Sequence, residues 1–312
     1  MLFLIGIKQL ENNEKIALLS QINSLTALNL LWNETRKTTK SFQDTAAGWI
    51  QKSLKYVSSD TAKSVEDLFG KIEWDPDSLS KKIKSEQERV RSLSSDELNQ
   101  ELNSKLNDIA CLKGDFDETS TACAIIHEAA KSLDIDARIY PDAVSLEAVV
   151  FEGAIKEIVE ALKKKMENFD ATERAKFEDL LKDEIDRLSK ADKDAVKEAL
   201  GVDDLSSHSL YQFFKTASSA AIAQVIAGSF GFGAFLFLTT IIKAFSLLLG
   251  ITFPFAIYSS ATSLLAFTLS FPFLLGFLLL AGGWVIKKTD HKLNIHIAKL
   301  LVITGRCKLM TK

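Results

Sequence analysis

Four histidines, three cysteines and a handful of acidic and glycine-bearing motifs are the residues of this chain that could do chemistry. His127-Glu128 is the start of a zinc-protease pattern, but no second histidine follows four residues on, so one helix face cannot present two imidazoles to a metal. His291 and His296 are five apart, a spacing that splits them between helix faces. Cys111, Cys123 and Cys307 are an odd number without paired spacing, which gives neither a disulfide framework nor a zinc knuckle. Gly231-Phe232-Gly233 lacks the third glycine and the preceding strand of a dinucleotide loop. No phosphate-loop lysine and no nucleophile elbow is present. Adjacent acids such as Asp183 and Glu184 sit among lysines and arginines and read as a solvated helix face. The expectation is a protein that is not an enzyme, with no catalytic residues, no cofactor and no metal site.

The elements that would carry these residues are helices. Among 312 residues there are only 4 Pro and 14 Gly, sparse punctuation that favours long helices over a sheet-rich fold. Residues 8–35 form a first periodic segment and 40–70 a weaker one, with a turn at Trp74 to Asp77. Residues 78–112 are heptad-like and charged, broken near Ser94-Ser95. A helix over 119–133, a connector over 134–142 and an amphipathic helix over 145–166 follow. In the last of these Leu146, Val150, Ile155, Ile158, Val159, Leu162 and Met166 share a face. Asp170 to Glu173 is a capping box that opens a helix through Leu188. Residues 190–200 end at Gly201, a helix-stop glycine.

The composition then changes. Residues 216–286 contain one charge, Lys243, and three apolar runs: 220–242, 244–258 and, after a Ser/Thr-rich break at 259–263, 264–286. The third run is 23 residues long, against the roughly 20 that a bilayer crossing needs. Its 14 Leu, Phe, Val and Ile give about −4 to −8 kcal/mol towards insertion before penalties for Pro, Gly and hydroxyls. The membrane-inserting residues expected from this pattern are Phe235, Leu236, Phe237, Leu247, Leu248, Phe255, Leu274, Leu275, Phe277 and Leu278. Pro254 and Pro272 are kink or hinge positions. Lys243 belongs at a bilayer edge, since a lysine at the centre costs about 2.5–3.5 kcal/mol. Trp284, Lys287 and Lys288 suit interfacial anchors.

Charge divides along the chain. Residues 1–210 carry 29 basic and 40 acidic side chains, a net −11, and residues 211–312 carry 9 basic and 1 acidic, a net +8. The basic residues flank apolar sequence instead of forming a dense patch, so no nucleic-acid partner is expected and an anionic membrane surface is. Seven basic residues follow position 286, which places the tail in the cytoplasm by the positive-inside rule. With no secretory signal at the start, both termini are expected on the cytoplasmic side of the membrane. That arrangement needs an even number of crossings: the first and third runs as spans, the middle run re-entrant. Residues 291–303 read as an amphipathic segment lying on the bilayer or against the soluble part.

The stretches Gly231 to Phe245 and Leu249 to Tyr258, the Ser/Ala/Thr run after them, and Ala129 to Asp136 with the helices that follow resemble the YaaW-like bacterial proteins, which are related to the ubiquinol-cytochrome c chaperone group. The resemblance covers about residues 120–305. It implies an all-helical fold, a bacterial origin, with the bacterial inner membrane as the bilayer expected above, and no established activity.

The fold class expected is all-α, a helical N-terminal and central part followed by a C-terminal hydrophobic helical hairpin or bundle. The divisions expected are 1–112, an acidic helical region 113–210, a hydrophobic block 211–290 and a basic tail 291–312. Three functions remain open: a membrane-inserting or pore-forming effector of toxin or phage-defence type, controlled by its acidic domain; a membrane-linked chaperone or assembly scaffold; and a soluble interaction protein with a sheltered hydrophobic hairpin. The partners expected are membrane lipids, a protein bound through the front half, and further copies of the chain.

Overall fold

The computed structural model of the chain describes residues 1–20, 22–23, 85–86, 88–110, 117–228, 231–248 and 290–310. All of the regular structure among them is helical, and no strand is present there.

Helix α1 (Leu2–Lys8) comes first. The chain turns at residues 9–11, where the Glu11 amide donates to the Glu14 carboxylate (2.6 Å), and residues 12–20 are again helical. The sequence pattern began its first helix at residue 8 and gave the opening residues no helix. The apolar opening of the chain is in fact a separate helix.

The break expected near Ser94 is real. The Ser94 side chain caps the Glu97 amide and Glu97 reaches back to Ser94, opening α2 (Ser95–Ile109) with two orphan amides satisfied. Helix α3 (Glu118–Ser132) is capped by Asp117. It ends with Asp134 at φ 55°, where the Ile135 amide returns to the Ala130 carbonyl (3.0 Å). An aspartate tolerates this left-handed position better than most side chains. After a short 3₁₀ turn (Ala137–Ile139), Asp142 caps the amides of Val144 and Ser145 to open α4 (Ala143–Met166). All seven residues of the stripe anticipated on this helix are buried.

Capping boxes at Asp170/Glu173 and Ser189/Asp192 open α5 (Ala171–Asp186) and α6 (Lys190–Leu200). Gly201, at φ 64°, stops α6. Then come α7 (Ser207–Thr216), α8 (Ser219–Ala227), α9 (Gly231–Leu248) and α10 (Asp290–Met310).

Two helices act as axes. Helix α10 packs against α1, α2, α3, α4 and α9, and α9 packs against α5, α6 and α8. Helix α4 joins the two groups, touching α3 and α10 on one side and α8 on another. One apolar core runs from Phe3 to Cys307 through both. Along α10 every residue from Ile297 to Thr304 is buried, Lys299 and Thr304 included. The segment expected to lie on the bilayer or against the soluble part takes the second place, as the central helix of the first group. It is covered on every side, the state of a helix that is apolar all round.

Candidate functional site

Helix α9 carries the first of the residues expected to enter a bilayer. Phe235, Leu236, Phe237 and Leu248 are buried, and Leu247 is half-buried. The Phe237 ring sits edge-on to Phe213 (5.6 Å) and Phe214 (6.0 Å) of α7. Gly233 lies so close to α6 that a Cβ there would overlap the Ala195 carbonyl. The run 220–242 is thus not one span: it is divided at Gly228 between α8 and α9, and both halves are built into the helical body. Among the described residues no helix is long and apolar enough to cross a membrane. Phe255, Leu274, Leu275, Phe277, Leu278, Pro254, Pro272, Trp284, Lys287 and Lys288 lie outside the described residues.

Lys243 is not at a bilayer edge. Its ammonium points to α5, 3.9 Å from the Glu184 carboxylate, and burial pushes its pKa down, with Glu184 opposing and Arg187 adding to the shift. Glu184, expected on a solvated face, is buried and also pairs with Arg187.

The same holds for the basic tail. Lys299, itself 1% exposed, donates to Glu157 of α4 (2.6 Å). Arg306 lies over the Phe151 ring (5.3 Å) and 3.7 Å from Glu147 of α4. Lys308 holds both oxygens of the buried Glu14 (2.9 and 2.7 Å). Glu147 also accepts the amides of Leu2 (2.8 Å) and Phe3 (2.7 Å), so it closes the N-terminal end of α1. Burial nevertheless holds its carboxyl above the usual glutamate range, the Phe3 amide and Arg306 opposing. Much of the charge division read as attraction to an anionic surface is thus satisfied inside the molecule: acids of the front half meet Lys243, Lys299, Arg306 and Lys308 of the back half. A signal for this was present. Glu147 falls on the apolar stripe of α4 together with Phe151, Ala154 and Ile158, and an acid in that position must find a partner.

One end of the body gathers several chain ends. Phe169, three residues past α4, stacks on Phe245 near the end of α9 (6.0 Å, 13° between planes). The pairs Lys299–Glu157 and Arg306–Glu147 run α10 antiparallel to α4. Asp290 is nine residues before Lys299 and Met166 nine after Glu157, each about 13 Å of helix. The first turn of α10 therefore runs beside the last turn of α4. Asn294 of the same helix reaches the Asp108 carbonyl at the end of α2 (3.4 Å). Lys163 donates to the carbonyl of Ala217, closing the C-terminal end of α7 at the same place. So α9 ends, α10 begins and α7 turns into α8 where α4 finishes in Lys163, Lys164 and Lys165.

Of the groups considered for chemistry, His127 bonds through Nδ1 to the Cys123 carbonyl of its own helix (2.8 Å), and His208 lies 3.4 Å from Glu178. Cys307 is fully buried and its thiol is pushed up. Among the described residues no group of three or more His, Cys, Asp or Glu is placed to hold a metal. Comparison with protein-family models, curated proteins and solved structures gives no match.

Proposed function

We propose that the protein is a membrane-associated helical protein, attached through the apolar stretch 249–289, with its helical body on one face of the bilayer. The observation that carries this reading is the common exit: α9 delivers the chain at Leu248 and α10 takes it back at Asp290, both at the end of α4. The stretch between them is 41 residues long, contains the 23-residue run 264–286 and is free of charge until Lys287. A chain that leaves and returns at one end of a folded body re-emerges on the side it entered.

This modifies the topology expected from the sequence. The run 220–242 belongs to the body, which leaves ten residues before the Ser/Thr break and 23 after it. Two full crossings of about 20 residues each would use nearly the whole stretch and leave no turn. A re-entrant or interfacial loop, covered by protein where its backbone is open, meets the length better. Helix α1 packs on α10, so both termini lie on one side, and the acidic surface of the front half is left for a protein partner on that side.

The direct test is carbonate-washed fractionation with protease protection of tags at both termini. The expected result is a carbonate-resistant membrane pellet in which both tags share one accessibility. Recovery in the supernatant without detergent overturns the reading. Dye leakage from liposomes decides the effector version: Leu275→Asp abolishes release if the loop opens a pore, and intact liposomes at saturating protein remove that version. A second reading, a soluble interaction protein that shelters apolar sequence, is favoured by one observation. The apolar helix α9 and the buried stretch Ile297 to Thr304 of α10 already serve as core axes.

A further inference from the structure

The last turn of α4 gathers three consecutive lysines, Lys163 to Lys165. Lys164 is exposed, Lys163 and Lys165 are half-exposed, and Lys215, in the last turn of α7, comes alongside because Lys163 holds the Ala217 carbonyl two residues further on. Among the described residues no carboxylate forms an ion pair with Lys164, Lys165 or Lys215. The contrast is with Lys243, Lys299, Arg306 and Lys308, all of which meet glutamates inside. Three acids lie near in sequence, and the first of them, Glu160, pairs with Lys156 (3.6 Å). Glu167 acts on Lys163, and Asp170 directs its carboxylate to the amides of Thr172 and Glu173. Lys165 is pushed down to about 8, by burial first and by Lys164 second, so an anion beside it relieves an unfavourable charge.

We propose that this lysine end, Lys163 to Lys165 with Lys215, is a docking surface for the headgroups of anionic phospholipid, and that it turns the α4 end of the body towards the bilayer. The inference rests on the membrane reading above and adds to it the lipid class and the orientation. Three observations select lipid as the occupant. The surface is cationic where the interior has already neutralised its own cations. The apolar stretch leaves and returns at this end, and sequence alone puts Lys287 and Lys288 within three residues of the start of α10. Beside it, the outer face of α8 exposes Ala220, Ala221 and Gln224, with no charge to desolvate on approach.

The test is flotation of the full chain with vesicles of neutral phosphatidylcholine and with vesicles containing about 30% phosphatidylglycerol, at low and high salt. The wild type is expected to partition onto both and more strongly onto the anionic vesicles at low salt. Each lysine at an anionic surface is worth about fivefold in partitioning. K164Q/K215Q is therefore expected to weaken anionic binding about 25-fold with neutral binding unchanged, and K164R/K215R to keep the preference. Both positions are exposed, and an unchanged Tm shows the variants folded. Equal wild-type binding to both vesicle types, or an undiminished anionic preference in K164Q/K215Q, overturns this inference and leaves membrane attachment standing. Flotation with neither vesicle type overturns both.

Discussion

Gly6 and Gly305 meet backbone to backbone where α1 crosses α10. A Cβ on Gly6 would overlap the Gly305 carbonyl oxygen, and a Cβ on Gly305 would overlap the carbonyl of Phe3. Main-chain atoms cannot rotate aside as a flexible side chain does. The close approach also brings the start of α1 within reach of Glu147.

Gly305→Ala is accordingly expected to destabilise the body by about 3 kcal/mol or more, the upper end of overpacking costs. Gly201→Ala is the control. Nothing lies within 4 Å of the Cβ it would add, and only its φ of 64° resists the change, so about 1 kcal/mol is expected. Urea unfolding of the two variants gives the comparison, and similar midpoints would refute the crossing.

Phe237 separates a core helix from a lipid-facing one. It is fully buried between Phe213 and Phe214. Phe237→Ala is expected to cost about 3–5 kcal/mol in the absence of any lipid or detergent. A residue whose only neighbours were acyl chains would show no loss in that measurement.

The Lys299–Glu157 pair should respond asymmetrically. Glu157→Ala strands a buried ammonium and is expected to cost about 3–5 kcal/mol, whereas Lys299→Met leaves only Glu157, which is 33% exposed and keeps its water, and is expected to cost much less. The double variant should then recover most of the loss of the first. Equal losses for the two single variants would mean that solvent reaches the pair.

Glu147 gives a pH signature. Its carboxyl is raised from the ordinary 4.5 by burial, so in the interval above 4.5 the folded state holds a proton that the unfolded state has released. Stability from this group is complete below that interval and is lost as pH rises through the folded value. Glu147→Gln removes the titration. The difference in unfolding free energy, wild type minus variant, is therefore expected to fall as pH rises from about 4 and then level off. A difference that is flat or rises with pH contradicts the assignment.

The elements that sequence pattern found were those with both a stop signal and a two-sided face. Helix α4 shows its buried stripe and its Asp142 cap, and α2, α5 and α6 announce themselves through capping residues. Helix α9 was read as part of a span, and α10 was left between a bilayer surface and the body. A helix covered on all sides has no polar face, so hydropathy cannot distinguish a protein interior from a bilayer. The charges of α10 then read as a basic tail, because a local pattern does not show that Lys299, Arg306 and Lys308 face glutamates up to 294 residues away. The lysine end of α4 was visible only as three consecutive lysines. Its meaning depends on which chain ends arrive beside it, and that is a tertiary fact.

Helix α10 is the axis on which α1 to α4 close, and it is translated after the apolar stretch 249–289. During synthesis, then, the hydrophobic sequence is complete while the front helices still lack the element that buries Phe3, Glu14 and Glu147. Assembly must wait for contacts of very long sequence separation, which form slowly. In that interval the nascent chain presents its apolar stretch before its body has set; under the membrane attachment proposed above, bilayer targeting and folding would then compete, with the last 21-residue helix deciding when the contest ends.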